Sequence, residues 1–405
     1  MRRPCPHVRR STVETTRTPT QAELVRRVAD LAPLLRSHAD RADQDRRLAD
    51  ESVAALTEAG LFRMRVPLRY GGYESDAATM VAVATELGRA DASAAWTTGV
   101  AWITTFMAGL FPDEVQDEVF ATPDLRMCGT LSPSALAEPV DGGVTVNGRW
   151  GFVSGALHSQ WQVLVAMMPT PDGRQLPIMA LAPLADLGIV DDWHTSGLRA
   201  SGSVTTVAEN VFVPAARILP LPAVLQEQYA SKQNADSEIF RGPLLPTASA
   251  SSVGTAVGLA RAAIDVFLER LPDRKITYTT YSSQGEAPLT HRQVADATLR
   301  ADAAEFHAQR VARLLDTKNA SGGQWTVLER ARARADLGRA CELALEAVRI
   351  LRQASGGSSI YTSAPIQRIE HDVQAINLHA LMHGDTNLEL YGRVLCGLEP
   401  NTFYL

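Results

Sequence analysis

Apolar residues recur at helical spacing through the first hundred positions. Leu24, Val28, Leu31, Leu34 and Leu35 share one face of a 3.6-residue period. Leu56 to Ala59 run into Gly60, a helix stop, and Gly71-Gly72 marks a turn. A second helix is predicted from Ala77 to Leu87. Asp91 or Ser93 can cap the next, which carries Trp96 and Trp102. Phe111-Pro112-Asp113-Glu114 resembles a helix start, with proline in the first turn and acids behind it.

The pattern changes near Pro123. From Arg126 to about Pro214, short apolar runs alternate with turn residues. Val140-Asp-Gly-Gly143 suggests a hairpin turn, with Val144, Val146, Trp150 and Phe152 on strands. Val163 to Met168, Ile178 to Leu181 and Val204 to Val213 read the same way. After a Pro/Leu-rich linker, long apolar-striped helices resume: Thr247 to Leu271, Val294 to Leu315, Thr326 to Gln353 and Ala364 to His383. The expected fold is α+β, mainly α. It has an N-terminal helical domain over 21–122, a central β-barrel or sandwich over 123–225, and a C-terminal four-helix bundle over 226–405.

Composition removes several classes. With 45% hydrophobic residues the chain can bury a large core, and a net charge of −6 argues against a nucleic-acid binder. Four cysteines (Cys5, Cys128, Cys341 and Cys396) form no CxxC pair, which fits a reduced, cytoplasmic protein. An uninterrupted apolar run of the ~18 residues a membrane span needs is not seen. Residues 1–20 are basic and lack the apolar stretch of a secretory signal, so they read as a disordered tail. There is no HExxH, Walker loop, GxSxG or clustered Cys/His set, so no metal is expected.

Two runs carry more. One is Pro365-Ile-Gln-Arg-Ile-Glu-His-Asp372, followed by His379 and Glu389-Leu-Tyr-Gly-Arg393. The other is Asn147-Gly-Arg-Trp-Gly-Phe-Val-Ser-Gly155. Together with the helix–β–helix order they resemble the acyl-CoA dehydrogenase superfamily. In a dehydrogenase of that family a glutamate removes the substrate α-proton. Its position here is Ala380, which cannot take a proton, and the neighbour is His379, which can exchange one near neutral pH. That combination resembles the branch of two-component flavin-dependent monooxygenases.

The resemblance implies a set of residues. Phe152, Val153 and Ser154 stand where a strand lies against the flavin ring, Ser154 as a donor near N5. Ser201 and Ser203, in Gly197-Leu-Arg-Ala-Ser-Gly-Ser203, belong to a loop over the flavin. Thr130 and Ser132 occupy an altered Thr-Glu-Pro position. Pro288-Leu-Thr-His-Arg-Gln293 matches a segment that reaches the pyrophosphate of a neighbouring subunit's FAD. The arginine expected six residues upstream is Ser282, which favours FMN, with FAD possible. Arg292 or Arg368 can hold the phosphate, and Gly356 and Gly357 can cradle it with backbone N–H groups. His379 and Ser154 are the implied catalytic residues. Trp96, His158 and His383 are pocket candidates, His383 one helical turn beyond His379. Taken alone, each is also compatible with an ordinary strand, a helix stop or a surface side chain.

The function implied is oxygenation of an aromatic or polycyclic small molecule through a flavin C4a-hydroperoxide. Reduced FMN would come from a separate NAD(P)H:flavin reductase, since no nicotinamide-binding fingerprint is present, and the enzyme would be a homotetramer. A dehydrogenase with a relocated base, and an N- or S-oxygenase of the same branch, remain alternatives.

Overall fold

The computed structural model describes residues 17–122 and 124–405. Most of the expected tail, residues 1–16, lies outside them. Helix α1 (Gln21–Asp45) starts at Thr20, whose side chain accepts from Glu23 N–H while the Glu23 carboxylate accepts from the Thr20 backbone, a reciprocal cap. Then come α2 (Asp50–Glu58), α3 (Ala77–Ala90), α4 (Ala92–Ala108) and α5 (Asp113–Val119). Asp91, not Ser93, caps α4 by accepting from Ala94 N–H. Trp96 and Trp102 are both buried on α4.

The strands form one eight-stranded sheet. They are β1 (Met127–Gly129), β2 (Ala135–Val140), β3 (Gly143–Trp150), β4 (Trp161–Pro169), β5 (Gln175–Pro183), β6 (Gly188–Val190), β7 (Thr205–Pro214) and β8 (Ile218–Pro220). Their order is β6-β7-β3-β2-β4-β5-β8, and β1 pairs in parallel with β4. The β2–β3 hairpin turns at the expected glycines, Val140 pairing with Gly143. One face is packed by Val144, Val146, Trp150, Leu164 and Ala166.

The helical remainder consists of α6 (Leu221–Leu225), α7 (Leu244–Arg270), α8 (Pro288–Ser321), α9 (Val327–Ala354), α10 (Pro365–Asn377) and α11 (Gly384–Leu395). Helix α7 lies against α3 almost backbone to backbone. A Cβ on Gly258 would come 2.2 Å from the Thr85 carbonyl oxygen. Alanines line the bundle core at three- and four-residue steps: Ala297, Ala301, Ala304 and Ala308 on α8, and Ala340, Ala344 and Ala347 on α9. The stretch Leu244–Asp273 is long and apolar enough to cross a membrane by length and composition, although polar residues such as Thr247, Ser249, Ser251 and Thr255 interrupt its apolar run. Its apolar window is 67% buried inside the bundle, as a core helix.

One helix differs from expectation. The run from Ala364 to His383 is not continuous, because α10 ends at Asn377 and α11 begins at Gly384. The Asn377 amide donates to Cys341 O and Val373 O, and His379 Nδ1 accepts from Leu381 N–H where a helical carbonyl would otherwise stand. Gly384 fits tightly, since a Cβ there would lie 1.9 Å from the Glu342 carboxylate. His379 and His383 therefore do not share a helical face.

Candidate active site

The chain leaves β3 through Gly151 and turns at Phe152, which adopts φ 60°, a left-handed conformation that costs a bulky residue about 1–2 kcal/mol. The turn pushes the Phe152 side chain outward, 75% exposed, with its edge on Trp193 at 5.7 Å. Val153 goes inward and its N–H bonds Val204 O. Gly155 N–H bonds Ser201 O, so this turn and the 197–203 loop are stitched together.

Between them lies a row of buried hydroxyls. Trp96 Nε1–H donates to Ser154 Oγ at 3.0 Å. Ser154 Oγ is 2.6 Å from Ser203 Oγ, and Ser203 Oγ is 2.7 Å from Ser201 Oγ. Ser201 Oγ donates to Leu198 O at 2.7 Å. Trp96 also reaches the other side of the site. Its ring meets that of His379 edge-on, centroids 5.3 Å apart. The indole thus joins the two residues implied as catalytic, which the sequence placed only as separate candidates.

His379 sits in the turn after α10, with one part of the residue exposed to solvent and the ring packed among Trp96 and its neighbours. Burial by the surrounding protein pushes its imidazolium down to about 4, and the Arg334 guanidinium adds to that push. The ring is neutral at pH 7. Because Nδ1 accepts from Leu381 N–H, the proton resides on Nε2, so the free edge of the ring is a donor. Arg334 is itself buried, and among the described residues it has no carboxylate partner. Its Nε donates to Asn387 Oδ1 and its Nη1 to Tyr404 O. Tyr404 in turn donates its hydroxyl to Leu131 O, between Thr130 and Ser132. Thr130 is half-buried and Ser132 exposed, linked by Ser132 N–H to Thr130 Oγ1 at 3.3 Å.

The loop bearing Ser201 and Ser203 is clamped onto α10. A Cβ on Gly197 would lie 2.1 Å from His371 O. Leu198 is held at φ 50° with its N–H on Asp372 Oδ1 at 2.6 Å and its carbonyl also accepting from Trp193 Nε1. Burial pushes the Asp372 carboxyl up to about 7 against the pull of that bond, with Asp91 and Asp43 pushing the same way. Arg368 sits among these acids, paired with Asp40 and in the field of Asp91 and Asp372. Its guanidinium is therefore engaged by carboxylates of its own chain rather than presented to a phosphate.

The other candidates lie apart. His158 faces Asp50, and burial, then Arg47, pushes it down to about 4. His383 stands at the N-cap of α11, and among the described residues its buried Nδ1 has no hydrogen-bond partner. Arg292 is exposed on the first turn of α8, and among the described residues it has no ion pair. Gly356 and Gly357 form an exposed turn into which a Cβ would project freely, Gly356 at φ 65°. Beside it stands a cation that spacing did not reveal. Arg274 donates to Ser358 Oγ and Ser355 O, each at 2.7 Å. Ser282, the residue at the expected spacing, instead donates to Glu286.

A flavin fits what this chain offers. The exposed aromatic at Phe152 and the hydroxyl at Ser154 suit a ring face and its polar centre. The open glycine turn beside Arg274 suits phosphate oxygens.

Two family descriptions match the chain: the acyl-CoA dehydrogenase N-terminal domain over residues 18–119 and the C-terminal domain over 250–383. Among curated proteins it is 31% identical to the FADH(2)-dependent resorcinol hydroxylase, oxygenase component, of Rhizobium sp. (strain MTP-10005), covering 96% of this chain and 97% of that one. It is 29% identical to the flavin-dependent monooxygenase, oxygenase subunit HsaA, of Rhodococcus jostii (strain RHA1), covering 92% and 98%. Among solved structures, XiaF from Streptomyces sp. in complex with FADH2 and glycerol superposes with a TM-score of 0.90 at 30% identity, covering 94% and 97%. The chain belongs to the acyl-CoA dehydrogenase family, and these relatives within it are flavin-dependent oxygenases.

Proposed function

We propose that the chain is the oxygenase component of a two-component flavin-dependent monooxygenase. It takes reduced flavin from a separate NAD(P)H:flavin reductase, and molecular oxygen, and hydroxylates an aromatic small molecule. The observation that carries this is the Ser154–Trp96–His379 constellation beside Ala380, where a dehydrogenase would place its glutamate. The flavin, when bound, supplies the oxygen activation. The protein's residues hold and orient. Phe152 presents a ring face, Ser154 meets the flavin's polar edge, and His379 offers Nε2–H to a substrate oxygen. A neutral imidazole with that proton in place orients a phenol rather than deprotonating it.

Arg274, bonded to Ser358 and Ser355 beside the glycine turn, offers a cation that Ser282 does not, so the turn suits the phosphates of FAD as well as that of FMN. A homotetramer and a cytoplasmic location complete the reading, with the glycine turn serving a neighbour's flavin.

The test is an anaerobic titration with reduced FAD and FMN, then admission of oxygen with a panel of mono- and dihydric phenols. Hydroxylated product should form per flavin oxidised. His379→Ala should still bind flavin but lose coupling by up to about tenfold, a hydrogen bond between neutral groups being worth about 0.5–1.5 kcal/mol. His383→Ala should couple nearly as wild type. Reduction of the oxidised flavin by an acyl-CoA, with no phenol oxidised, would establish the dehydrogenase alternative instead.

A further inference from the structure

The hydroxyl row at the site has a fixed direction. A carbonyl oxygen only accepts, so Ser201 spends its single proton on Leu198 O. Ser203, 2.7 Å away, must then donate to Ser201. With that proton committed, Ser203 can only accept from Ser154 at 2.6 Å. Indole N–H only donates, so one Ser154 lone pair is taken by Trp96. Ser154 is left with no proton to give and one lone pair to offer. This reverses the donor role expected for it from the sequence.

The rest of the loop holds this polarity in place. All four groups are buried. Leu198, the terminal acceptor, is pinned through its N–H by Asp372 and shares its carbonyl with Trp193. Reversing the row would take the Ser201 proton away from that carbonyl and leave it with the Trp193 donor alone.

We propose that this polarised Trp96–Ser154–Ser203–Ser201–Leu198 row selects the redox state of the flavin, with Ser201 and Ser203 as positioning residues that act through Ser154. The proposal rests on the reading that the flavin lies against Ser154. A reduced flavin carries a hydrogen on N5 and can donate to the lone pair of Ser154. An oxidised flavin has only a lone pair at N5, which meets another lone pair. To bond it, Ser154 would have to withdraw its proton from Ser203. The preference for the reduced state is therefore set two residues away, by where the serine proton is already committed.

Removing the sink for that proton should loosen the selection. In Ser203→Ala the Ser154 proton is free to turn toward N5. In Ser201→Ala, Ser203 can donate back to Ser154, with the same result. The measurement is the equilibrium dissociation constant for oxidised and, under anaerobic conditions, reduced flavin, with FAD and with FMN, for wild type and both variants. Wild type should bind the reduced form more tightly. Each variant should shrink the oxidised-to-reduced ratio about tenfold, chiefly by binding oxidised flavin better. The midpoint potential of the bound flavin should fall accordingly, by about 30 mV per tenfold for a two-electron couple. Ser203→Thr, which keeps the hydroxyl, should restore the wild-type ratio. If flavin binds and both alanine variants keep the wild-type ratio and potential, the proposal is overturned while the oxygenase reading stands. If wild type binds flavin in neither state, both fall together.

Discussion

His379 is a residue whose surroundings, more than its type, decide its chemistry. Burial and then Arg334 hold it neutral down to about pH 4. Arg334→Met should raise its pKa toward the ordinary 6.5, measured by histidine NMR titration, with no effect on His158, which owes its depression to burial and then Arg47. Coupling that depends on the neutral ring should persist through pH 5, where an ordinary histidine is already charged. The sign for stability follows. The folded pKa lies below the unfolded one, so the unfolded chain takes up protons first. His379 therefore costs stability as pH falls from about 6.5 to about 4. The residue type and its place beside Ala380 were legible in the sequence. Its tautomer was not, because that depends on Leu381 N–H turning back in a break that the apolar periodicity runs straight through.

At the scale of elements, the contact between α10 and the 197–203 loop joins the serine row to the segment that leads to His379. Asp372 carries it. Its folded pKa, near 7, lies above the unfolded value near 3.8, so its contribution is fully present below about pH 4 and is lost as pH rises toward 7. Asp372→Asn keeps an acceptor for Leu198 N–H and removes the titration. It should match wild type at pH 4 and exceed it at pH 8 by at least about 1.4 kcal/mol, one pKa unit's worth, seen as a higher Tm. A lower Tm at pH 8 would show that the charge itself is needed. Gly197→Ala should act in the opposite sense. A Cβ 2.1 Å from His371 O must part loop and helix, lowering Tm and weakening flavin binding together. The helices and strands themselves were legible from period, caps and turn residues, as Thr20, Asp91 and the Gly142-Gly143 turn show. The loops were less so. Arg274 is fourteen positions before Pro288, outside any spacing rule, and only the path of the 271–287 connection brings it to the glycine turn.

Over the whole molecule, the exposed apolar side chains suggest where copies meet. Leu289, Leu299 and Phe306 are 59%, 68% and 55% exposed, and on α8 they fall within about 100° of one another around the axis. In the proposed tetramer that face is covered, so Leu299→Glu should shift the mass measured by light scattering toward smaller species. Flavin affinity should fall with it, since the glycine turn then serves no neighbour. Arg274→Ala should leave the assembly intact and weaken FAD more than FMN, read by titration with both.

The contact of Tyr404 with Leu131 on one side and Arg334 on the other has a practical consequence. The last residues of this sequence lie across the seam between sheet and bundle, tied to the cation that tunes His379. An affinity handle fused after Leu405 would pull on that seam. Preparations carrying such a handle should show a displaced histidine titration and poorer coupling than preparations tagged ahead of α1, so the choice of expression vector is itself an experimental variable for this enzyme.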